Sequence, residues 1–280
     1  MIRIITDTAS DITPAQARAM GVDLVALSIR FPEFAYDAQR DADFSEFYRL
    51  LKLCKQFPTT SQPPPEAFER LFREAKEAGD DVIAILISSG LSGTLQSART
   101  AQAAVGYDRI HLIDTLTAIM SQRLLVEYAV KLRDAGTGIA EMLRECAYVR
   151  DRLRVWGMID TLTYLYKGGR LSRTAALAGN LLRIRPIVTS NEKGVIALAG
   201  RGRNHQALLA RFAEDQPYDD RFPVIFGYTD TDEGARKLKA QATEQFGLRD
   251  TSIHAIGGLV GAHVGPNGAA LSYVMRRKVK

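Results

Sequence analysis

Six apolar residues in a row, Val82-Ile-Ala-Ile-Leu-Ile87, empty into Ser88-Ser-Gly-Leu-Ser-Gly-Thr94, and a helical pattern begins at once. Few folds accept that junction. A strand apolar on both sides must be covered on both faces, and parallel sheets obtain this cover from their crossover helices. Around it, apolar and β-branched runs predict strands over 2–7, 22–31, 82–88 and 109–114. Helical periodicity predicts helices over 14–20, 44–54, 65–78, 93–104 and 118–134. Asp11, Thr13 and Ser92 supply side-chain oxygens for helix starts. Strand–helix alternation of this kind argues for a parallel sheet.

The second half is patterned differently. Strands are expected over 155–159, 185–189, 195–199, 224–228 and 252–256, and helices over 139–152, 173–182, 205–216 and 233–246. Two of these strands are joined by Asn191-Glu-Lys-Gly194, a hairpin signal foreign to a purely parallel sheet. The expected fold class is therefore α/β with two domains. An N-terminal α/β domain, 1–150, carries a mainly parallel sheet, and a C-terminal α+β domain, 151–280, carries a mixed or antiparallel one.

At 280 residues the chain is long enough for both. Hydrophobic residues at 46% and charged residues at 25% exclude a disordered or fibrous chain. No stretch approaches the apolar length of a membrane span, and Asp7 interrupts any signal-peptide core, so a cytoplasmic location is expected. Cys54 and Cys146 lack the spacing of a disulfide framework or zinc site. The net charge of +5 is dispersed except for Arg276, Arg277, Lys278 and Lys280 at the tail. No aromatic-and-basic interleaving accompanies it, so nucleic acid is not an expected partner.

Four polar segments hold the candidate chemistry. At Ser88–Thr94 the first helical N–H groups and the Ser92 and Thr94 hydroxyls point the same way, a geometry suited to an anion. Open α/β sheets bind ligands beyond the carboxyl ends of their strands, where this segment lies; the plainer reading makes Ser92 a helix cap. Phe57-Pro-Thr-Thr60-Ser61-Gln-Pro-Pro-Pro65 offers three hydroxyls and an amide before a stiff proline run, or simply a turn. Tyr164-Leu-Tyr-Lys-Gly168-Gly169-Arg170 ends a short helix on two glycines and presents a guanidinium suited to a carboxylate; alone, it reads as a capped surface arginine. Gly257–Gly268 sets five glycines around His263, leaving the imidazole little to pack against. His111, His205 and His254 fall in strands or at a helix start and read as structural.

Taken in order, these segments resemble the DegV family of bacterial fatty-acid-binding proteins. The resemblance rests on Asp7-Thr-Ala-Ser-Asp11, Thr60-Ser-Gln-Pro63, Ser88-Ser-Gly-Leu-Ser-Gly-Thr94 and Gly168-Gly-Arg-Leu-Ser172. Asn180-Leu-Leu-Arg-Ile-Arg-Pro-Ile187 and Gly261-Ala-His-Val-Gly-Pro266 extend it to the whole chain. It implies a long-chain fatty acid held between two domains, and a carrier subunit that is not itself an enzyme. A separate ATP-dependent fatty acid kinase subunit would phosphorylate the bound carboxyl group for phospholipid synthesis. By the same resemblance Thr60, Ser61, Ser92 and Gly93 form the carboxylate site, completed by Arg170 and His263. Arg201 and Arg203 match a basic segment that contacts the kinase. No metal or cofactor beyond the fatty acid is implied, and a transient encounter with a membrane surface is compatible with the role.

The chain departs from the family pattern in two places. After Asp114 the family usually carries a Ser and two Gly residues at the next helix start. Here Ile119, Ser121 and Arg123 stand in that stretch, and their bulk is expected to reshape the acyl tunnel. The usual Gly-Thr-His-x-Gly-Pro-Gly is Gly261-Ala262-His263-Val264-Gly265-Pro266-Asn267, which loses a hydroxyl and is expected to shift the loop. Two other functions compete with this one. A serine hydrolase acting on a lipid or acyl ester would use Ser92, His263 and Asp7 or Asp114, but Gly90-Leu-Ser-Gly93 is one residue short of the G-x-S-x-G elbow. A basic DNA-binding regulator would show salt-dependent DNA affinity.

Overall fold

The apolar run becomes β5 (Asp81–Leu86), whose residues Val82 to Leu86 are completely enclosed. It pairs in parallel with β1 (Ile2–Asp7) and β6 (Ile110–Asp114), and β1 pairs with β2 (Val22–Val25), giving the order β2-β1-β5-β6. The computed structural model describes residues 1–38, 44–171 and 184–277. The expected helix over 173–182, Ser172, the start of the Asn180 motif, Lys278 and Lys280 lie outside the described residues.

Helices cover both faces, as a doubly apolar strand requires. Phe68, Phe72 and Ala75 of α3 (Pro65–Ala78) pack on one face with Leu95, Ala98 and Ala101 of α4 (Thr94–Val105). On the other face lies α5 (Ile119–Asp134). This helix has no solvent side over its first two turns. Leu124 and Leu125 share one cluster with Ile83 and Ile85 of the first sheet and with Ile225, Ala270 and Val274 of the second. A helix apolar on opposite faces is a buried layer, and α5 is the layer common to both sheets.

The second sheet is six-stranded and mixed, as the hairpin signal implied. Its strands are β7 (Leu153–Met158), β8 (Arg185–Ser190), β9 (Ile196–Gly202), β10 (Val224–Tyr228), β11 (Thr251–Ala255) and β12 (Ala269–Val274), in the order β11-β10-β12-β7-β8-β9. β10 and β11 are parallel, and the other pairs are antiparallel. The central strand β12 is absent from the sequence reading. Ala-Ala-Leu-Ser-Tyr-Val is buried throughout, so it lacks the alternation that marks a half-exposed strand.

A second correction concerns 22–31. The run divides at Ala26-Leu27, where the Thr8 hydroxyl accepts the Leu27 N–H at 3.0 Å. Its latter part, β3 (Ser28–Arg30), leaves the sheet and pairs antiparallel with β4 (Thr59–Ser61). That two-stranded ribbon carries Thr60 away from the parallel sheet.

Candidate functional site

Between the sheets lies a cavity of about 370 Å³, within the range of small-molecule sites. Its walls are mostly aliphatic: Leu27, Ile87 and Leu91 from the first half, Val155, Val188 and Ile196 from the second sheet, and Leu259, Val260 and Val264. Into this apolar space project Thr60, Ser61, Gln62, Ser92, Gly93, Arg170 and His263. All six residues expected at a carboxylate site therefore line one cavity, although they are drawn from four segments spread over 204 residues, Thr60 to His263. Arg201 and Arg203 are not among its lining residues. Arg201 lies in β9 and Arg203 just beyond it, exposed.

The Ser88–Gly93 loop is held from several directions. The Ser88 hydroxyl donates to the Gly194 carbonyl at 2.7 Å and accepts the Gly90 N–H at 3.1 Å. The tip of the β8–β9 hairpin thus rests on the strand–helix junction. Gly90 has no side chain because the Lys193 carbonyl would lie 2.8 Å from its Cβ. Gly93 makes room for the Gln62 amide, which donates to Ser97 Oγ at 3.0 Å. The helix begins one residue later than expected, at Thr94. Ser92 Oγ shares a 2.8 Å hydrogen bond with Thr94 Oγ1 and accepts the Thr94 N–H at 3.3 Å, while Gly93 holds the N-cap position and no side chain caps the helix.

His263 belongs to α10 (Gly258–Val264), a helix that is not among those expected from the sequence. The glycines permit close helix packing: a Cβ on Gly258 or Gly261 would meet the rings of Phe47 and Tyr48. His263 Nε2 shares a 3.0 Å hydrogen bond with Thr60 Oγ1. Nδ1 is buried without a partner, against Gly168, where a Cβ would stand 2.1 Å away. Burial, with the nearby Arg170 charge, pulls His263 down to about 4, so it is neutral at ordinary pH. Arg170 Nε donates to the Leu91 carbonyl at 3.1 Å and its Nη1 to Gly168 at 2.6 Å. A half-buried guanidinium is thus aimed at the loop that carries Ser92.

These contacts do not form a hydrolytic relay. Thr60, rather than Ser92, is the hydrogen-bond partner of His263. Asp7 accepts the Ala9 and Ile87 N–H groups, and Asp114 accepts the N–H groups of Ser89 and Leu116 together with the Ser89 hydroxyl. Neither carboxylate orients the imidazole, as a catalytic triad demands.

Thr60, Ser92, Arg170 and His263, from four separate segments, meet on one cavity wall. The chain belongs to the DegV family. A family profile described as "Uncharacterised protein, DegV family" matches residues 1–276. A DegV domain-containing protein of Halalkalibacterium halodurans is 32% identical over 284 aligned positions, covering 99% of each chain. Among solved structures, a fatty-acid-binding DegV family protein from Thermus thermophilus superposes with a TM-score of 0.86 at 28% identity, covering 98% of this chain and 99% of its own. A stearic-acid-binding protein from Eubacterium ventriosum reaches 0.86 at 26% identity, covering 99% of both chains.

Against the DegV pattern, the departures resolve individually. Of Ile119, Ser121 and Arg123, Ile119 lines the cavity. Ser121 Oγ instead shares a 2.6 Å hydrogen bond with Ser272 Oγ, across the two halves. Arg123 is 5% exposed and bonds Glu127, the Asp11 carbonyl and Gln16. Asn267 has φ 58°, a conformation that Asn shares with Gly, and its amide donates to Asp160 at 2.9 Å.

The sequence reading missed what Asp7 and Asp11 do. Asp7 Oδ2 accepts the Ile87 N–H at 2.7 Å, just before the Ser88 loop. Asp11 Oδ1 accepts the Gly257 N–H at 2.8 Å, at the start of α10. One short acidic motif therefore anchors two of the elements that carry the site, the Ser88 loop and the helix of His263. Burial raises Asp7 to about 6 and Asp11 to about 8. The signal was present, since two acids beside an apolar strand must be paired with donors.

Proposed function

We propose that this protein binds a long-chain fatty acid between units 1–150 and 151–280 and presents it to a separate ATP-dependent kinase subunit, which forms the acyl phosphate. The observation that carries this reading is the meeting of hydroxyls, an arginine and a neutral imidazole on one aliphatic cavity. An acyl tail of about sixteen carbons gains roughly 12 kcal/mol on leaving water, at about 0.8 per methylene. Ordering the tail and closing the site consume much of that, and the remainder supports tight binding. The carboxylate then needs partners, because an unpaired buried charge is costly. Thr60, Ser61, Ser92, Gly93, Arg170 and His263 provide them. The fatty-acid-binding relatives with the same fold support the assignment.

Two features support carriage over chemistry. The sequence contains no Gly-x-x-x-x-Gly-Lys-Ser/Thr run and no kinase-type glycine loop with its lysine. Phosphoryl transfer requires a metal-bound nucleotide in line with the acceptor oxygen, which a partner would bring to the carboxylate. Native mass spectrometry with lipid extraction tests the reading. The purified protein should carry a host fatty acid at one per chain and, with Mg²⁺ and ATP alone, should make no acyl phosphate. A chain free of lipid that binds no added fatty acid refutes the binding reading, and acyl phosphate made by the isolated chain refutes the carrier role.

A further inference from the structure

Among the described residues, Ile119 is the one non-glycine residue of the cavity wall with a positive φ. Its φ is +53°, a left-handed conformation that β-branched residues almost never adopt. The cause lies on either side. Before it, the 114–118 loop is tied to the end of β5: the Thr115 hydroxyl donates to the Leu86 carbonyl at 2.8 Å, and the Thr117 carbonyl accepts the Ser88 N–H at 2.8 Å. After it, the phase of α5 is set by Gln122, whose amide donates to Thr6 Oγ1 at 3.2 Å and to the Ile85 carbonyl at 3.3 Å. The link between two fixed segments must turn through positive φ, and glycine would do so without cost.

The backbone therefore explains the turn and not the isoleucine. What the side chain does is visible in its surroundings. It packs among Ile87, Leu259 and Ile256, yet it is only half-buried, and it lines the cavity. Strain retained where a side chain faces ligand space marks a functional constraint. We infer that Ile119 sets the maximum acyl length, its four-carbon side chain occupying the volume of about three to four methylenes of a longer tail. This rests on the fatty-acid reading above and adds the substrate's size to it.

Each buried methylene is worth about fourfold in affinity, so a length limit shows as a break in a regular series. The test is displacement of a fluorescent fatty acid from delipidated protein by straight saturated acids of about ten to twenty carbons. In the wild type, affinity should climb about fourfold per methylene and then stop. Ile119→Gly should move the stopping point upward by about two to four carbons, and Ile119→Ala by a smaller step. Ile119→Leu, similar in volume and less strained, should leave it unmoved. The same limit in all four proteins overturns the inference while the binding reading stands. So does a shift as large in Ile119→Leu as in Ile119→Gly, which would credit backbone relaxation. A wild-type chain that binds none of the acids removes the fatty-acid reading, and the inference with it.

Discussion

At the scale of single residues, the cavity sets a charged side chain beside a neutral one. His263, held near 4 by burial and by Arg170, is neutral across the working range, leaving Arg170 as the standing cation. Arg170→Met should therefore weaken fatty-acid binding at pH 6 and at pH 8 alike. His263→Ala should cost binding by the same factor at both values, because no proton is exchanged in that window. A His263→Ala effect confined to low pH would reverse the two roles. Ser92 offers a hydroxyl at the start of α4, and a hydrogen bond to a charged group is worth about 1.5–3 kcal/mol. Ser92→Ala should weaken binding about tenfold or more while the melting temperature of the lipid-free protein stays nearly constant. Unchanged affinity would reduce Ser92 to the Thr94 contact it makes without ligand.

Among the elements, the turn that follows β1 does more than reverse the chain. Asp11, at φ 57°, reaches from the first half of the chain to the amide that begins α10, and so fixes the helix that carries His263. Burial is the main cause of its raised pKa, with the Gly257 hydrogen bond and Arg123 opposing it. The sign of the resulting pH dependence follows. With a folded value of about 8 above an ordinary value of 3.8, the folded state holds the extra proton between them. Stability is then highest at low pH and falls as pH rises through 8. Asp7, at about 6, acts in the same direction lower down, while His263 and His254, both near 4, act oppositely below 6.5. Denaturant melts between pH 6.5 and 8 should therefore show declining stability, by at most about 1.4 kcal/mol per pH unit. Asp11→Asn should flatten that decline, since Asn tolerates the left-handed conformation and still accepts the Gly257 N–H. An unaltered slope would assign the titration elsewhere.

At the scale of the whole molecule, the two larger sheets of the described residues share one helix, with the cavity beside it. Because α5 contributes to a single core with both sheets, the two halves are joined by packing as well as by chain. Arg201 and Arg203 lie at the far end of β9, off the cavity wall. If they dock an acidic kinase surface, Arg201→Glu with Arg203→Glu should slow acyl phosphate formation by the reconstituted pair, most strongly at low salt. The same variant should retain its bound fatty acid. Loss of the lipid, or full activity at low salt, would place the docking surface elsewhere.

Local chemistry in the sequence was enough for the parallel sheet, the β8–β9 hairpin and the polar segments that meet at the cavity. Strand 82–86 is apolar on every side, Asn191–Gly194 is a turn, and Ser88–Thr94 joins a strand to a helix; each is a property of adjacent residues. Position in the fold decided the rest. β12 escaped notice because a strand buried on both faces has no alternation, and α10 because its glycines serve packing against Phe47 and Tyr48 rather than a loop. Ile119, Ser121 and Arg123 stand within one and a half turns of a helix, yet one faces the cavity, one the Ser272 hydroxyl and one the Asp11 turn. Which way a side chain points on a helix buried between two sheets depends on both sheets at once, and that is settled only when they close around it.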